Sequence, residues 1–270
     1  MLRNILAGSA ADQRKSYSTA KLPLPARFAV PYDFRPLDNM RNILNEPTPT
    51  ELHGRLRYTV QDFVAMEDVK GKRVLDVGCG YGFFELWAAR NGVEHITGID
   101  MTESDLATAQ RHVQYAQVTF KQGSAIQIPL ENASCHTVVS WEVIEHIPKG
   151  TEPVMFKEVH RVLKPGGVFY LSTPNGTLRS ILGDPTYWMI NHRHYTLRYF
   201  EKLAEQSGFK IVKHAVKAGV GEILDAWNLY VSKWIFRRDR FFKKRSEALT
   251  DYDYGRDGGF NTLFVQFQKV

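Results

Sequence analysis

Cysteine is scarce in this chain and long apolar runs are missing, and both features narrow what the protein can be. Of 270 residues only two, Cys79 and Cys135, are cysteines. Both lie in segments expected to form core sheet, which predicts free thiols in a reducing compartment. No uninterrupted apolar stretch is long enough to cross a bilayer. The sequence therefore predicts a cytoplasmic protein and leaves peripheral contact with a membrane open.

Positive charge is in moderate excess, with a net charge of +6 and a pI near 9.2. This balance favours an ordinary enzyme and is also compatible with anionic partners such as nucleic acid or acidic lipid. Residues 1–50 hold much of the proline and predict an irregular N-terminal arm. Their first segment, rich in Arg and Ser, also resembles an organelle import signal. Residues 51–270 are expected to form one domain.

From residue 72 onward, segments with strand and helix character alternate, which predicts a parallel sheet covered on both faces. Strands are expected at Arg73–Val77, His95–Asp100, Val118–Gln122, Thr137–Trp141, Val168–Ser172, Lys210–Val216 and Thr262–Lys269. Helices are expected at about Gly54–Met66, Phe83–Arg90, Ser104–Tyr115, Thr151–Leu163 and from about 197 to Gln206. The fold class is thus α/β and Rossmann-like.

A glycine-rich stretch, VLDVGCGYGFF, follows the first strand and precedes a helix. This order is typical of a nucleotide site at the carboxyl end of a parallel sheet. The glycines stand at 78, 80 and 82, so the spacing departs from the dinucleotide fingerprint Gly-x-Gly-x-x-Gly. Asp76 places an acid at the entrance of the loop, and Asp100 ends the next strand, where an acid accepts hydrogen bonds from a ribose. The pattern predicts a cationic nucleoside ligand, and S-adenosylmethionine fits.

Four stretches in this order, VLDVGCGYG, GID, VVSWEVIEHI and RVLKPGGVFYLSTPN, resemble the motifs of class I S-adenosylmethionine-dependent methyltransferases. The resemblance covers roughly residues 55–215 and the last strand. It implies a seven-stranded, mostly parallel sheet with an antiparallel last strand. It also implies a methyltransferase domain over 51–270, with a helical cap inserted at about 176–200 and 219–258.

The same resemblance implies a set of cofactor-binding residues. Asp76 and the loop Gly78–Gly82 would surround the methionine part, and Asp100 would bind the ribose. Where the family usually has Gly-Asp-Ala beside the adenine, this chain reads Gly123-Ser124-Ala125, and serine brings no charge. Ile126 or Ile128 could pack on the adenine face. The full set is Asp76, Gly78, Cys79, Gly80, Gly82, Asp100, Met101, Ser124, Ala125 and Trp141.

Two carboxylates and an imidazole, Glu142, Glu145 and His146, follow the fourth strand within one helical turn. Such a group can supply a general base or bind a divalent metal. We predict a catalytic role for these residues without a metal, and keep the metal site as an alternative. The arrangement resembles ubiquinone-biosynthesis O-methyltransferases and also small-RNA 2′-O-methyltransferases, in which a further histidine completes a metal site. His192 or His194 could take that place.

Two further segments are expected to decide the acceptor. DPTYWMINHRHYTLRYF, at 184–200, would line the mouth of the site with Tyr187, Trp188, His192, His194 and Tyr195. The stretch 227–245 predicts an amphipathic helix. Its apolar face would hold Trp227, Tyr230, Val231, Trp234 and Ile235, and its basic stripe Lys233, Arg237, Arg240 and Lys244. Such a helix could form a lid, lie on an anionic membrane or follow a nucleic-acid backbone.

These features predict methyl transfer from S-adenosylmethionine to an oxygen of a small or lipid-linked acceptor. RNA 2′-O-methylation is the first alternative, and the lack of a recognised RNA-binding module beside the core disfavours it. A non-catalytic module that binds S-adenosylmethionine is the second alternative. The identity of the acceptor and the oligomeric state are not readable from the sequence.

Overall fold

A computed structural model describes residues 51–270, apart from the side chain of Ile190. The predicted N-terminal arm, with its import-signal alternative, lies outside the described residues. Strands and helices alternate from residue 73 as expected. The strands are β1 Arg73–Val77, β2 His95–Asp100, β3 Val118–Gln122, β4 Cys135–Trp141, β5 Leu163–Pro174, β6 Phe209–Lys217 and β7 Thr262–Lys269.

The strands form one sheet with the order β3-β2-β1-β4-β5-β7-β6. Neighbours among β1 to β5 pair in parallel, and β7 runs antiparallel to both β5 and β6. The predicted seven-stranded sheet with an antiparallel last strand is therefore confirmed. The chain leaves the middle strands β1 and β4 at the same edge, where ligands bind in open α/β sheets.

Nine α-helices are present among residues 51–270. They are α1 Gly54–Tyr58, α2 Phe83–Arg90, α3 Glu103–His112, α4 Glu152–Val162, α5 Leu178–Gly183, α6 Pro185–Ile190, α7 Leu197–Gln206, α8 Val220–Tyr230 and α9 Lys243–Gly255. No helix in this part of the chain is both long enough and apolar enough to cross a membrane.

Apolar side chains cover both faces of the sheet, because successive strand residues point to opposite sides. Leu75 of β1 packs in one cluster with Phe156 of α4 and Phe200 of α7. Its neighbour Val74 belongs to a second cluster with Phe84 of α2. The predicted two-sided covering of the sheet is confirmed.

Several element boundaries differ from the sequence prediction. The first helix ends at Tyr58 and continues only as a π-helical turn, Thr59–Phe63, because Val64 is extended. The third helix ends at His112 and not at Tyr115, since Val113 leaves the helical region. β5 begins at Leu163, so it includes the turn predicted to precede it.

The predicted continuous helix over 227–245 is wrong. α8 ends at Tyr230, one π-helical turn follows at Val231–Ile235, and α9 begins only at Lys243. Arg237 and Phe242 adopt left-handed backbone angles, with φ of 50° and 49°, which a helix interior does not allow. The proposed basic stripe is therefore spread over three segments and does not lie along one helix.

Candidate active site

The glycine loop, Gly78–Gly82, connects β1 to α2 at the carboxyl edge of the sheet. All three of its glycines have positive φ. A side chain at Gly78 would run into Val143, which follows β4, whereas a side chain at Gly80 would meet open space. Gly78 therefore allows the β4 end to approach the loop closely, and Gly80 keeps the outer side of the loop accessible.

Asp100 is held against this loop by backbone donors. The Gly80 N–H donates to Asp100 Oδ2 at 3.0 Å, and the Thr102 N–H donates to Oδ1 at 2.8 Å. The parallel register of β1 and β2, with Val77 opposite Ile99, brings the two strand ends side by side. Each carboxylate oxygen keeps a free lone pair, so Asp100 can still accept a hydrogen bond from a ligand hydroxyl.

Two buried acids stand beneath the loop. Asp76 and Glu85 are both fully buried, and none of their four carboxylate oxygens has a hydrogen-bond partner among the described residues. Burial raises the pKa of both carboxyl groups well above the ordinary range, and nearby acids, Asp100 for Asp76 and Asp76 for Glu85, raise it further. An acid without a partner fits a cationic group such as an ammonium. The sequence analysis missed Glu85, although a glutamate in the apolar run FFELWAA was a visible signal.

The other residues predicted to bind the cofactor are spread along neighbouring strand ends. Ala125 and Ile128 are buried, whereas Met101 is 70% exposed beside Asp100. Ser124 lies in the bend after β3, where its Oγ accepts a long hydrogen bond, 3.4 Å, from the N–H of residue 126. Trp141 packs on Phe84, with ring centroids 5.7 Å apart, and its indole N–H has no partner among residues 51–270. These residues keep their predicted roles as proposals.

Glu142 joins the sheet edge to α1. It follows β4 with a φ of 55°, an uncommon angle for a residue other than glycine. Its Oε2 forms an ion pair with Arg55 at 3.0 Å, and its Oε1 accepts a hydrogen bond from Ser172 at 2.6 Å. Strained backbone held by such contacts is common at functional sites.

Glu145 is more deeply buried than Glu142, with side-chain exposures of 0% and 16%. Its side chain is fully buried, and Thr173 donates to Oε2 at 2.9 Å, while Oε1 has no hydrogen-bond partner within the described part of the chain. Burial, and then the charge of Glu142, raise the pKa of Glu145 to about 8. Glu145 is thus expected to be largely protonated near neutral pH.

Three imidazoles meet next to Glu145. His192 Nε2 lies 3.3 Å from His146 Nε2 and 3.8 Å from Glu145 Oε1. Its Nδ1 lies 2.8 Å from Asp184 Oδ2, and His194 Nε2 lies 3.4 Å from the same oxygen. Desolvation lowers the pKa of His192, but the hydrogen bond to Asp184 and the charge of that carboxylate outweigh it, so the net direction is upward.

His146 differs from His192, since its side chain is exposed. Partial desolvation of its ring, with the positive charges of His192 and Arg193, lowers the pKa of His146 below its ordinary value. A neutral imidazole at this position can accept a proton.

One group of residues in the described chain could hold a metal ion: Glu145, His146 and His192, whose ligand atoms lie within 4.8 Å of one another. The group differs from the alternative named from the sequence, because Glu142 is engaged by Arg55 and Ser172 and is replaced by His192. Mixed imidazole and carboxylate ligands suit a transition metal.

Arg193 anchors the segment that carries these side chains. Its guanidinium donates to the backbone carbonyls of Glu145 at 3.0 Å, of Ile144 at 2.8 Å and of Ile147. It also forms an ion pair with Glu152 of α4 at 2.6 Å. The sequence analysis passed over Arg193 because a lone arginine between two histidines carries no motif.

The five cap residues predicted to contact the acceptor separate into different environments. His192 and His194 line a cavity, whereas Tyr195 is buried and donates to Ile144 O and Glu152 Oε1. Trp188 is 61% exposed and donates to a backbone carbonyl in α5. Tyr187 packs edge-on against His194, with centroids 5.9 Å apart. The structure therefore brings the two histidines together at the cavity, but not the three aromatic residues.

This acceptor cavity, as we call it, has a volume of about 800 Å³ and lies between the sheet edge, α1 and the helices α8 and α9. Its wall includes Glu142 and His192, and also Arg240 and Lys243. The volume is within the range of about 300–1,000 Å³ that small-molecule sites occupy. Because Val143 packs behind Gly78, the segment at 142–146 lies between the glycine loop and the cavity.

Comparison with known proteins agrees with this arrangement. Residues 74–167 match the family model described as a methyltransferase domain. The chain is 37% identical over 119 residues to a ubiquinone biosynthesis O-methyltransferase of Pseudomonas aeruginosa, covering 42% of this chain and 48% of that protein. It is 34% identical over 130 residues to one from Coxiella burnetii, covering 47% and 53%. The chain thus spans about half the length of these curated relatives.

A solved structure of similar fold is an S-adenosylmethionine-dependent methyltransferase from Mesorhizobium loti. It aligns with a TM-score of 0.55 at 19% identity, over 77% of this chain and 97% of that one. At this identity the likeness concerns the fold. Together with the family match and the motifs at the sheet edge, it shows that the chain contains a class I S-adenosylmethionine-dependent methyltransferase domain.

Proposed function

We propose that the protein transfers a methyl group from S-adenosylmethionine to an oxygen of a small or lipid-linked acceptor. The observation that carries the proposal is the position of residues 142–146 between the glycine loop and the acceptor cavity. A ligand on the loop and a second molecule in the cavity would meet at these side chains. Holding two reactants in line is the main source of rate in such a reaction.

The cofactor is assigned to residues whose polar atoms suit its parts. Asp76, buried without a partner, suits the ammonium of the methionine part, and Asp100 suits the ribose hydroxyls. Gly78, Cys79, Gly80 and Gly82 offer an open backbone beside them. When bound, S-adenosylmethionine supplies a methyl carbon, which bonds to the acceptor oxygen as the carbon–sulfur bond breaks and leaves its electron pair on sulfur.

The proton released by the acceptor hydroxyl needs a base. His192 lines the cavity and its Nε2 stands 3.3 Å from that of His146, and either imidazole can accept the proton and pass it to solvent. Glu142, fixed by Arg55, is placed to orient the hydroxyl. The named activity of the ubiquinone-biosynthesis relatives supports oxygen as the atom methylated.

A lipid-linked acceptor would require the cavity to open toward a membrane. Large apolar side chains are exposed in the connection between α8 and α9, which also carries the cavity residue Arg240. They are Ile235 at 69%, Phe236 at 56% and Phe242 at 75%. Arg237, Arg238 and Lys244 are exposed among them. Apolar groups flanked by bases are typical of peripheral contact with anionic lipid.

Transfer from radiolabelled S-adenosylmethionine to a panel of quinols, catechols, sugars, amines and RNA tests the proposal. His146→Ala is expected to lower kcat by roughly 100-fold, the usual contribution of a general base, and to leave the cofactor Kd unchanged. His214→Ala is a matched control, because His214 is exposed on the edge strand β6. Stabilisation of the protein by NAD and not by S-adenosylmethionine would refute the cofactor assignment.

Membrane contact is tested separately by sedimentation with vesicles of phosphatidylcholine, with and without phosphatidylglycerol. The full chain is expected to bind only the anionic vesicles, and a Phe236→Ser/Phe242→Ser variant to lose most of that binding. Val212→Ser, at an exposed apolar site on β6, serves as control. Equal binding by all variants would contradict the assigned surface.

A further inference from the structure

The wall of the acceptor cavity is built from charged side chains of both signs. Arg55 and Glu142 stand near the sheet edge, Glu222 and Asp225 come from α8, and Arg240 comes from the segment before α9. Small-molecule pockets are ordinarily lined mainly by apolar and aromatic side chains. The polarity of this wall therefore carries information about the molecule that fills it.

Several of the charges in the wall are already paired with one another. Arg55 pairs with Glu142 at 3.0 Å, and Arg240 pairs with Asp225 at 3.5 Å. Glu222 is fixed by neutral donors, since Asn261 and Thr262 donate to its Oε2 at 2.7 and 3.0 Å. A free ammonium or phosphate would have to displace one of these partners, which makes an ionic acceptor a poor fit.

Paired charges still have hydrogen-bonding capacity. A carboxylate has about four lone-pair positions, and a guanidinium has five N–H donors. The Arg240 Nε–H, for example, has no hydrogen-bond partner among residues 51–270. Such a wall offers donors and acceptors side by side, which matches a hydroxyl group because a hydroxyl both donates and accepts.

Apolar residues also line the wall beside the charges, and several of them lie along α8. Ile223 and Leu229 of α8 and Leu56 of α1 contribute patches, but the exposed Trp188 does not line the cavity. The C–H faces of a sugar ring need only small apolar patches of this kind. A quinol with an apolar tail would instead leave the paired charges desolvated without new partners.

We propose that the acceptor is a polyhydroxylated, sugar-like molecule. Its reacting hydroxyl would lie beside Glu142 and His192, which both line the cavity. This inference rests on the proposed function and names the substrate class of the same site. The remaining hydroxyls would bond to Asp225, Glu222 and Arg240 along the wall. The acceptor hydroxyl loses its proton to an imidazole as its oxygen gains the methyl group, so charge and atoms balance.

The test compares acceptors with the full chain and radiolabelled S-adenosylmethionine. The panel holds uncharged sugars, namely free hexoses, N-acetylhexosamines and deoxyhexoses, set against catechols, decyl-substituted quinols and primary amines. Saturable transfer to at least one sugar, above that to every other class, supports the inference. Transfer to catechols, quinols or amines but not to sugars overturns it and leaves the proposed function standing. Transfer to no member of the panel overturns both.

A variant pair connects any sugar activity to the cavity wall. Asp225→Asn is expected to raise the KM for the sugar about tenfold, the size of one charge-assisted hydrogen bond, with the cofactor Kd unchanged. Asp257→Asn is the matched control, because Asp257 is fully exposed and does not line the cavity. If Asp225→Asn fails to fold, Leu229→Trp is the second variant: the larger side chain occupies part of the cavity and is expected to raise the KM for the sugar. An unaltered KM in a folded variant overturns the assignment of the wall.

Discussion

Arg193→Ala removes a guanidinium that ties the segment 144–147 to α4. The side chain makes three bonds to backbone carbonyls between Ile144 and Ile147, and an ion pair with Glu152 at 2.6 Å. The two partners are largely buried, with side-chain exposures of 19% and 6%. The substitution should therefore loosen the segment that lies between the glycine loop and the cavity.

The magnitude follows from these contacts. Removing one partner of a buried ion pair costs about 3–5 kcal/mol of unfolding free energy. Glu152 keeps donors from Tyr195 at 2.9 Å and from the Gly150 N–H at 2.8 Å, so the lower end of that range is expected. With about 2–4 °C per kcal/mol for a domain of this size, Tm should fall by roughly 6–12 °C.

Urea denaturation followed by circular dichroism measures the loss, and scanning calorimetry gives the Tm. Arg193→Lys is the matched control: it keeps the positive charge beside Glu152 but loses the fork that reaches the carbonyls, and should lie between the wild type and the alanine variant. The anchoring role would be refuted if the free energy of unfolding of the alanine variant lay within about 1 kcal/mol of the wild-type value, as it does for most surface substitutions.

Three other outcomes follow from the site. Asp100→Ala should raise the Kd for S-adenosylmethionine at least tenfold in calorimetric titration, and an unaltered Kd would show that the ribose lies elsewhere. Asp184→Asn preserves the cap of α6 but removes the charge that holds the pKa of His192 up against desolvation. If neutral His192 is the base, the acidic limb of the kcat profile moves to lower pH, and a fixed limb excludes that role. Gly78→Ala should abolish cofactor binding and cost about 1–3 kcal/mol, more than Gly71→Ala, which shares a positive φ but meets open space. Equal losses in the two glycine variants would show that backbone strain alone matters.

The sheet was predictable because its signals are local. Two short strands, with Asp76 one residue before the end of β1 and Asp100 at the end of β2, and a glycine loop that begins at Gly78 with a positive φ all follow from consecutive residues. Parallel pairing then places both acids at the same edge whatever the rest of the chain does. The same locality allowed the positions of Glu142, Glu145 and His146 next to that edge to be expected.

Tertiary structure alone decided the partners of those side chains. Arg55 pairs with Glu142 and Arg193 pairs with Glu152 across long stretches of sequence, and both ion pairs follow from packing. The different pKa directions of His146 and His192 depend on which neighbours face each ring, and residue spacing does not record that.

The cap shows the limit of periodicity most clearly. Apolar spacing over 227–245 matches a helix, but left-handed angles at Arg237 and Phe242 divide it into shorter pieces that turn around the cavity. Those turns bring Asp225 and Arg240 together in its wall. The sequence by itself determined the sheet and the cofactor edge, since both follow from local backbone preferences. The polar acceptor cavity arose only from long-range packing of segments that no local pattern connects.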